Sequence, residues 1–273
     1  MPGNFKNILK KTPGIGAVIA LRKRQKESAS IRYECSLMKR HLVTSDTRSF
    51  TAVERDILVF SHVIEKGLCH HSFRTRFGAE SVKKLVALLQ ECKLQKKTDG
   101  FAYRVGIESL LAYSEANMNN GEDVGDLVPN SLINEGKGDV AGCYTVSARE
   151  YFSSIPQFAP IAHSRHSMRL FDCESKPIPK SKITRAVGTA TTAPSACNRQ
   201  SVRVYAIFNP ATIARVAKIQ RGCSGFGEDA AALIVVTSDL AMYLAEERRL
   251  PYVDGGIFCM NLLYALQDER LGA

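Results

Sequence analysis

The sequence contains no tryptophan, which removes one kind of stacking platform. It has no run of about 18 apolar residues, so a membrane-spanning helix is excluded. The longest early apolar run, Gly14–Leu21, is too short to span. Arg22-Lys23-Arg24 follows it at once, the wrong flank for a cleavable signal. None of the eight cysteines stands in C-x-x-C spacing. A chain of 273 residues needs no disulfide framework, so reduced thiols and a cytoplasmic location are expected. No Gly-x-Ser-x-Gly elbow is present, so Ser167, His166 and Asp172 are not read as a hydrolase triad. Gly222, Gly225 and Gly227 do not follow a strand in dinucleotide-fingerprint spacing and read as a loop. His62, Cys69, His70 and His71 fit no standard zinc spacing, and no metal is expected.

Acidic residues are scarce at one end only. The chain carries 37 Lys and Arg against 27 Asp and Glu, a formal charge of +10. Residues 1–48 hold 11 basic and 3 acidic residues, a net of +8. Residues 49–273 are left with 26 basic and 24 acidic ones, a net of +2. The high isoelectric point therefore describes a basic leader on a nearly neutral body, and no nucleic-acid partner is expected. The leader reads as frayed or weakly helical, suited at most to a weak peripheral contact with anionic lipid. The remainder, 45% apolar and 23% charged over the whole chain, can bury a core.

Residues 49–117 read as helices. Thr51 and Glu54 make a capping-box pattern, Ile57, Leu58, Val63 and Ile64 roughly follow helical spacing, and Gly67 supplies a stop. A second helix is predicted from about Ala79 to Lys97, with Val82, Leu85, Val86, Leu89 and Cys92 as its apolar stripe. Asp99-Gly100 breaks it, and a third follows over Tyr103–Asn117. Residues 118–143 are rich in Asn, Gly and Asp without periodicity and read as a linker. From residue 144 the texture changes. Helices are predicted at Ser147–Ser153, Ser181–Thr191, Ala211–Gln220 and Asp254–Gln267. Ser201–Phe208 alternates as a strand, and the continuous apolar run Ala231–Thr237 reads as a strand buried on both faces. Helices alternating with strands suggest a layered arrangement.

Two constellations carry chemistry. Arg165-His166-Ser167-Met168-Arg169 places two guanidinium groups and a hydroxyl where they can converge on a phosphate. Pro194-Ser195-Ala196-Cys197-Asn198-Arg199-Gln200 is a turn that exposes main-chain groups and two amides, a suitable partner for a flat heterocycle. Either alone reads as readily as a solvated surface or an ordinary loop; their order and spacing together are specific.

The ordered series resembles the FMN-dependent nitroreductase family. It runs Arg165-x-Ser-x-Arg169-x-Phe-Asp, Pro177-Ile-Pro179, Pro194-Ser-Ala-Cys-Asn198-Arg-Gln200, the strand Val202–Ile207, Gly225-Phe-Gly-Glu-Asp229-Ala, the strand Leu233–Thr237, and Tyr252-Val-Asp254-Gly-Gly256-Ile-Phe-Cys-Met260. The resemblance covers about residues 145–273. Ser61-His-Val-Ile-Glu-Lys-Gly-Leu68 resembles a helical N-terminal extension found on some bacterial nitroreductase-like proteins.

The resemblance implies an α+β fold with a three-layer α/β/α core, preceded by a helical region. It implies a homodimer with FMN at the subunit interface. Arg165, His166, Ser167 and Arg169 would hold the flavin phosphate and ribityl chain. Pro194, Ser195, Asn198 and Gln200 would lie against the ring, often from the partner subunit. NAD(P)H would be the electron donor and a small nitro compound, quinone or similar molecule the acceptor, with no dedicated catalytic side chain. The family usually continues with Gly-Leu-Gly, a further strand and a basic residue at the FMN phosphate. Here Arg270 stands in place of the first of those glycines and the series stops at Ala273, so the core is expected to be incomplete at its C-terminus. Ser201-Val202 also replaces a common Pro-aromatic pair. The alternative reading is a truncated, non-catalytic nitroreductase-like interaction module.

Overall fold

The computed structural model describes residues 15–42, 49–70, 72–138, 157–169, 177–223 and 225–273, with the single positions 147, 149 and 171. Most of the predicted helix Ser147–Ser153 lies outside the described residues.

The first core belongs to the helical region. α1 (Ile15–His41) is exposed along most of its length and touches the core only at its end, through Met38 and the buried Leu42 that follows it. The leader's described part is thus one long helix. α2 (Phe50–Leu68) starts two residues earlier than the capping-box pattern suggests. Ser49 is the N-cap, and its hydroxyl accepts the Ala52 N–H at 3.2 Å; Thr51 already lies inside the helix. In α3 (Ala79–Leu94) the predicted stripe of Val82, Leu85, Val86, Leu89 and Cys92 is buried throughout. It closes on α2 and on α4 (Phe101–Asn119), each large apolar side chain contributing about 1.5–3 kcal/mol when fully removed from water.

Gly67 does not stop α2, which runs one residue further. A Cβ at Gly67 would lie 1.9 Å from a ring carbon of Phe77, whose ring meets Phe73 and Tyr113 edge-on. The glycine is there for that close approach. Gly67→Ala is expected to cost about 1–3 kcal/mol through overpacking, read as a lower midpoint in urea unfolding; an unchanged midpoint would contradict the packing described.

The stretch read as a linker does more than connect, as far as it is described. Val124, Leu127, Val128 and Leu132, the last on the short α5 (Asn130–Ile133), are buried in the first core. The buried Glu108 carboxylate accepts the N–H groups of Lys137 and Gly138, both at 2.7 Å. Scattered apolar residues with irregular spacing gave no periodic signal, yet all four are buried.

The second core is α+β. Its elements are α6 (Ala159–Ser164), α7 (Lys180–Ala190), β1 (Val202–Ile207), α8 (Pro210–Ile219), β2 (Leu233–Ser238) and α9 (Leu250–Asp268). β1 and β2 pair antiparallel, from Val202 opposite Ser238 to Ile207 opposite Leu233. Val202, Val204, Ile234 and Val236 pack on the α7–α9 core of Ile183, Ala186, Phe258 and Leu262. The apolar run of β2 is only half-buried, because β1 is its one strand neighbour among the described residues. The two cores are not separate bodies. Met242, in the 3-10 turn Leu240–Met242, and the adjacent Tyr243 are buried inside the first core.

α9 ends in a Schellman motif. The Leu271 N–H bonds to Leu266 C=O at 2.8 Å and the Arg270 N–H to Gln267 C=O at 3.0 Å. The left-handed position that glycine usually takes here is held by Arg270, at φ +57°. Arg270→Gly is therefore expected to stabilise the fold by about 1 kcal/mol, read as a raised melting temperature.

Candidate flavin site

The loop at 194–200 is built from strained backbone held by local bonds. Cys197, Asn198 and Gln200 all have φ near +50°, a conformation that costs non-glycine residues energy and persists where the surroundings over-determine it. The surroundings do so here. The Ser195 hydroxyl accepts the Gln200 N–H at 3.1 Å, and the Gln200 side-chain amide donates to the Asn198 side-chain oxygen at 2.7 Å. The Asp254 carboxylate accepts the Ala196 N–H at 3.2 Å. Pro194 and Asn198 are exposed, and Ser195 and Gln200 are half-buried, so the loop presents an outer surface while its back is fixed.

What fixes the back is Arg199, the largest fully buried side chain among the described residues. Its guanidinium donates to both Glu247 carboxylate oxygens at 2.7 and 2.9 Å, to Met242 C=O at 2.8 Å and to Ala196 C=O at 2.9 Å. It also lies over the Tyr243 ring, 5.0 Å from the centroid. Burial pushes the Glu247 carboxyl up, but the bonds from Arg199 and from the Leu244 N–H, with the Arg55 charge, hold it below its ordinary range. Burial alone would depress the Arg199 guanidinium; the bond and charge of Glu247 more than offset this.

The Tyr243 hydroxyl bonds to Asp254 at 2.8 Å and to Ser201, and burial raises its phenol above the ordinary value. Arg199, Tyr243, Glu247 and Asp254 thus anchor the loop to α9 and to the turns at 240–247, where Met242 and Tyr243 are buried in the first core. Sequence reading gave none of them a role. A charged residue within the apolar α9 was the one available signal, and it marks Asp254.

The Arg165–Arg169 segment is different in kind. It follows α6 without regular structure. Arg165 is half-buried; His166, Ser167 and Arg169 are exposed. Among the described residues none of these four side chains has a hydrogen-bond or ion-pair partner, so two cations and a hydroxyl stand available to an anion. The segment is tied to the far end of α9: Gln267 donates to Ser164 Oγ at 3.2 Å, and the Met168 N–H to Ala273 C=O at 3.0 Å. The loop at 194–200 is tied to the near end through Asp254. Asp254 and Gln267 are separated along α9 by about 20 Å at the helical rise per residue. The two segments of the expected site are therefore tied to opposite ends of α9.

Among the described residues, no three His, Cys, Asp or Glu side chains converge as a metal site, and His62 lies 3.7 Å from Glu65. No curated protein matches the chain. Residues 162–223, which hold both halves of the site, match the model of the Nitroreductase family, and over that span the chain is nitroreductase-like.

Proposed function

We propose that the protein is an FMN-dependent oxidoreductase of the nitroreductase type, acting as a homodimer with NAD(P)H as donor and a small nitro compound, quinone or similar molecule as acceptor. The observation that carries this reading is the Arg165–Ser167–Arg169 group, which has no side-chain partner among the described residues. A phosphate monoester needs charge-assisted donors, and these, unclaimed by any described residue, are such donors. The residues present fit a flavin: cations for its phosphate on one segment, and on the other a rigid loop whose exposed amides and main-chain groups match the donor–acceptor edge of a planar ring. When bound, the cofactor supplies the hydride chemistry, accepting from NAD(P)H and passing to the acceptor. Arg165, His166, Ser167 and Arg169 bind and orient; Pro194, Ser195, Asn198 and Gln200 shape the ring's surroundings.

The separation of the two halves supports the homodimer. A two-fold pairing uses each surface once on each subunit, so the loop of one protomer can face the arginines of its partner. α9 offers the apolar face for it. Val253, Ile257 and Met260, spaced as one helical side, are 50%, 38% and 37% exposed. A Cβ at Gly255 or Gly256 would meet nothing, so a second helix can approach closely. No described helix is long and apolar enough to cross a membrane. α1 exposes its cations and has no single apolar stripe, so a contact of the leader with anionic lipid would be electrostatic and released by salt.

The test is direct. Purified protein incubated with FMN should retain yellow flavin after gel filtration, and anaerobic NADH or NADPH should bleach it. Protein that stays colourless, with no rise in melting temperature on adding FMN, would support the non-catalytic alternative.

A further inference from the structure

We propose that the cavity between β2, α9 and the residues Met168 and Phe171 is a second binding site, for a small apolar molecule carrying one anionic group, with Arg270 as its charge anchor. The cavity has a volume of about 640 Å³, within the range of small-molecule sites. Ile178, Phe226, Leu233, Val236, Leu262 and Leu266 make up much of its wall, and Arg270 is the one charged side chain among the described residues that line it. Met168 of the Arg165–Arg169 segment lines it, but Arg165, His166, Ser167, Arg169 and the residues of the 194–200 loop do not, so its lining shares none of the residues proposed to hold the flavin.

Two observations on Arg270 point to a ligand. Its backbone holds the left-handed position where glycine is the ordinary occupant, so an arginine here is kept against a local energetic cost, the pattern seen at functional positions. Its charge also has no partner among the described residues. The adjacent Glu269 carboxylate is engaged by Arg185 through two bonds of 2.7 Å, and the Glu269 C=O by Lys182 at 2.9 Å. Among the described residues no carboxylate pairs with Arg270. A cation at the mouth of an apolar cavity selects an amphiphile: the apolar body gains by leaving water, and the anion gains charge-assisted bonds.

The experiment is calorimetric titration of the full-length, FMN-saturated protein with dodecanoate and with dodecanol, both below micelle-forming concentrations. Dodecanoate should bind more tightly than dodecanol. Arg270→Gly should weaken dodecanoate about tenfold or more, leave dodecanol unchanged and raise the melting temperature. Arg270→Lys should keep most of the dodecanoate affinity, and Leu263→Trp, which fills the cavity, should abolish binding of both. Equal dodecanoate affinity in wild type and Arg270→Gly would overturn the proposal. So would release of bound FMN by dodecanoate, or no binding of either probe to the wild type. Because flavin retention is read separately, failure here leaves the flavin reading untouched, and the reverse.

Discussion

Arg199→Met is expected to destabilise the protein by about 3 kcal/mol. Removing one partner of a buried ion pair leaves the other charge uncompensated, which costs about 3–5 kcal/mol when both are buried; Glu247 keeps 24% of its side chain in water, so the lower end applies. Two carbonyls, of Ala196 and Met242, lose their donors as well. The double variant Arg199→Met with Glu247→Leu should recover a large part of the loss, since apolar replacement of a whole buried pair is close to neutral. Urea unfolding of the four proteins in that cycle measures it. A single-variant loss below about 1 kcal/mol would mean the pair is not what fixes the loop.

The same pair sets a pH dependence. The folded Glu247 carboxyl is depressed below its unfolded value. Its contribution is therefore complete above the usual carboxylate range and is lost as pH falls through the folded value. In Arg199→Met the main group lowering it is gone while burial remains. Glu247 should then take up its proton at higher pH, and the acid limb of the stability profile should flatten.

The second large effect concerns binding. Arg165→Ala with Arg169→Ala should weaken FMN by about a hundredfold or more, since each charged hydrogen bond is worth about 1.5–3 kcal/mol. The melting temperature without FMN should barely move, because neither guanidinium has a partner among the described residues. Fluorescence titration of FMN and a thermal melt separate the two quantities. A large loss of stability would show that these arginines hold the fold instead.

The legible and illegible parts of this chain differ for physical reasons. Val82, Leu85, Val86, Leu89 and Cys92 were readable as a buried face because a helix repeats its neighbours every three to four residues. β1 and β2 were readable as strands from alternation and an apolar run, but a run of that kind cannot say how many strands flank it, so the half-burial of β2 was not. Ser49 was passed over for Thr51 because both are good caps and only the backbone decides. Arg199 was invisible for a stronger reason: a charged residue in a polar loop is ordinarily solvated, and its burial depends on Glu247, Met242 and Tyr243, more than forty positions away. The two segments of the proposed flavin site were picked out by their motifs. Their placement at opposite ends of α9 needed the structure.

That placement allows the central claim, a flavin site shared between two subunits, to be tested by complementation. One parent carries Arg165→Ala and Arg169→Ala. The other carries Asn198→Gly and Gln200→Gly, which suit the left-handed backbone while removing both amides. Neither parent should retain FMN. Unfolding and refolding the two together forms mixed dimers in which one site has both halves intact, so about a quarter of the wild-type flavin should return. A mixture that refolds into dimers and stays colourless would contradict a shared site.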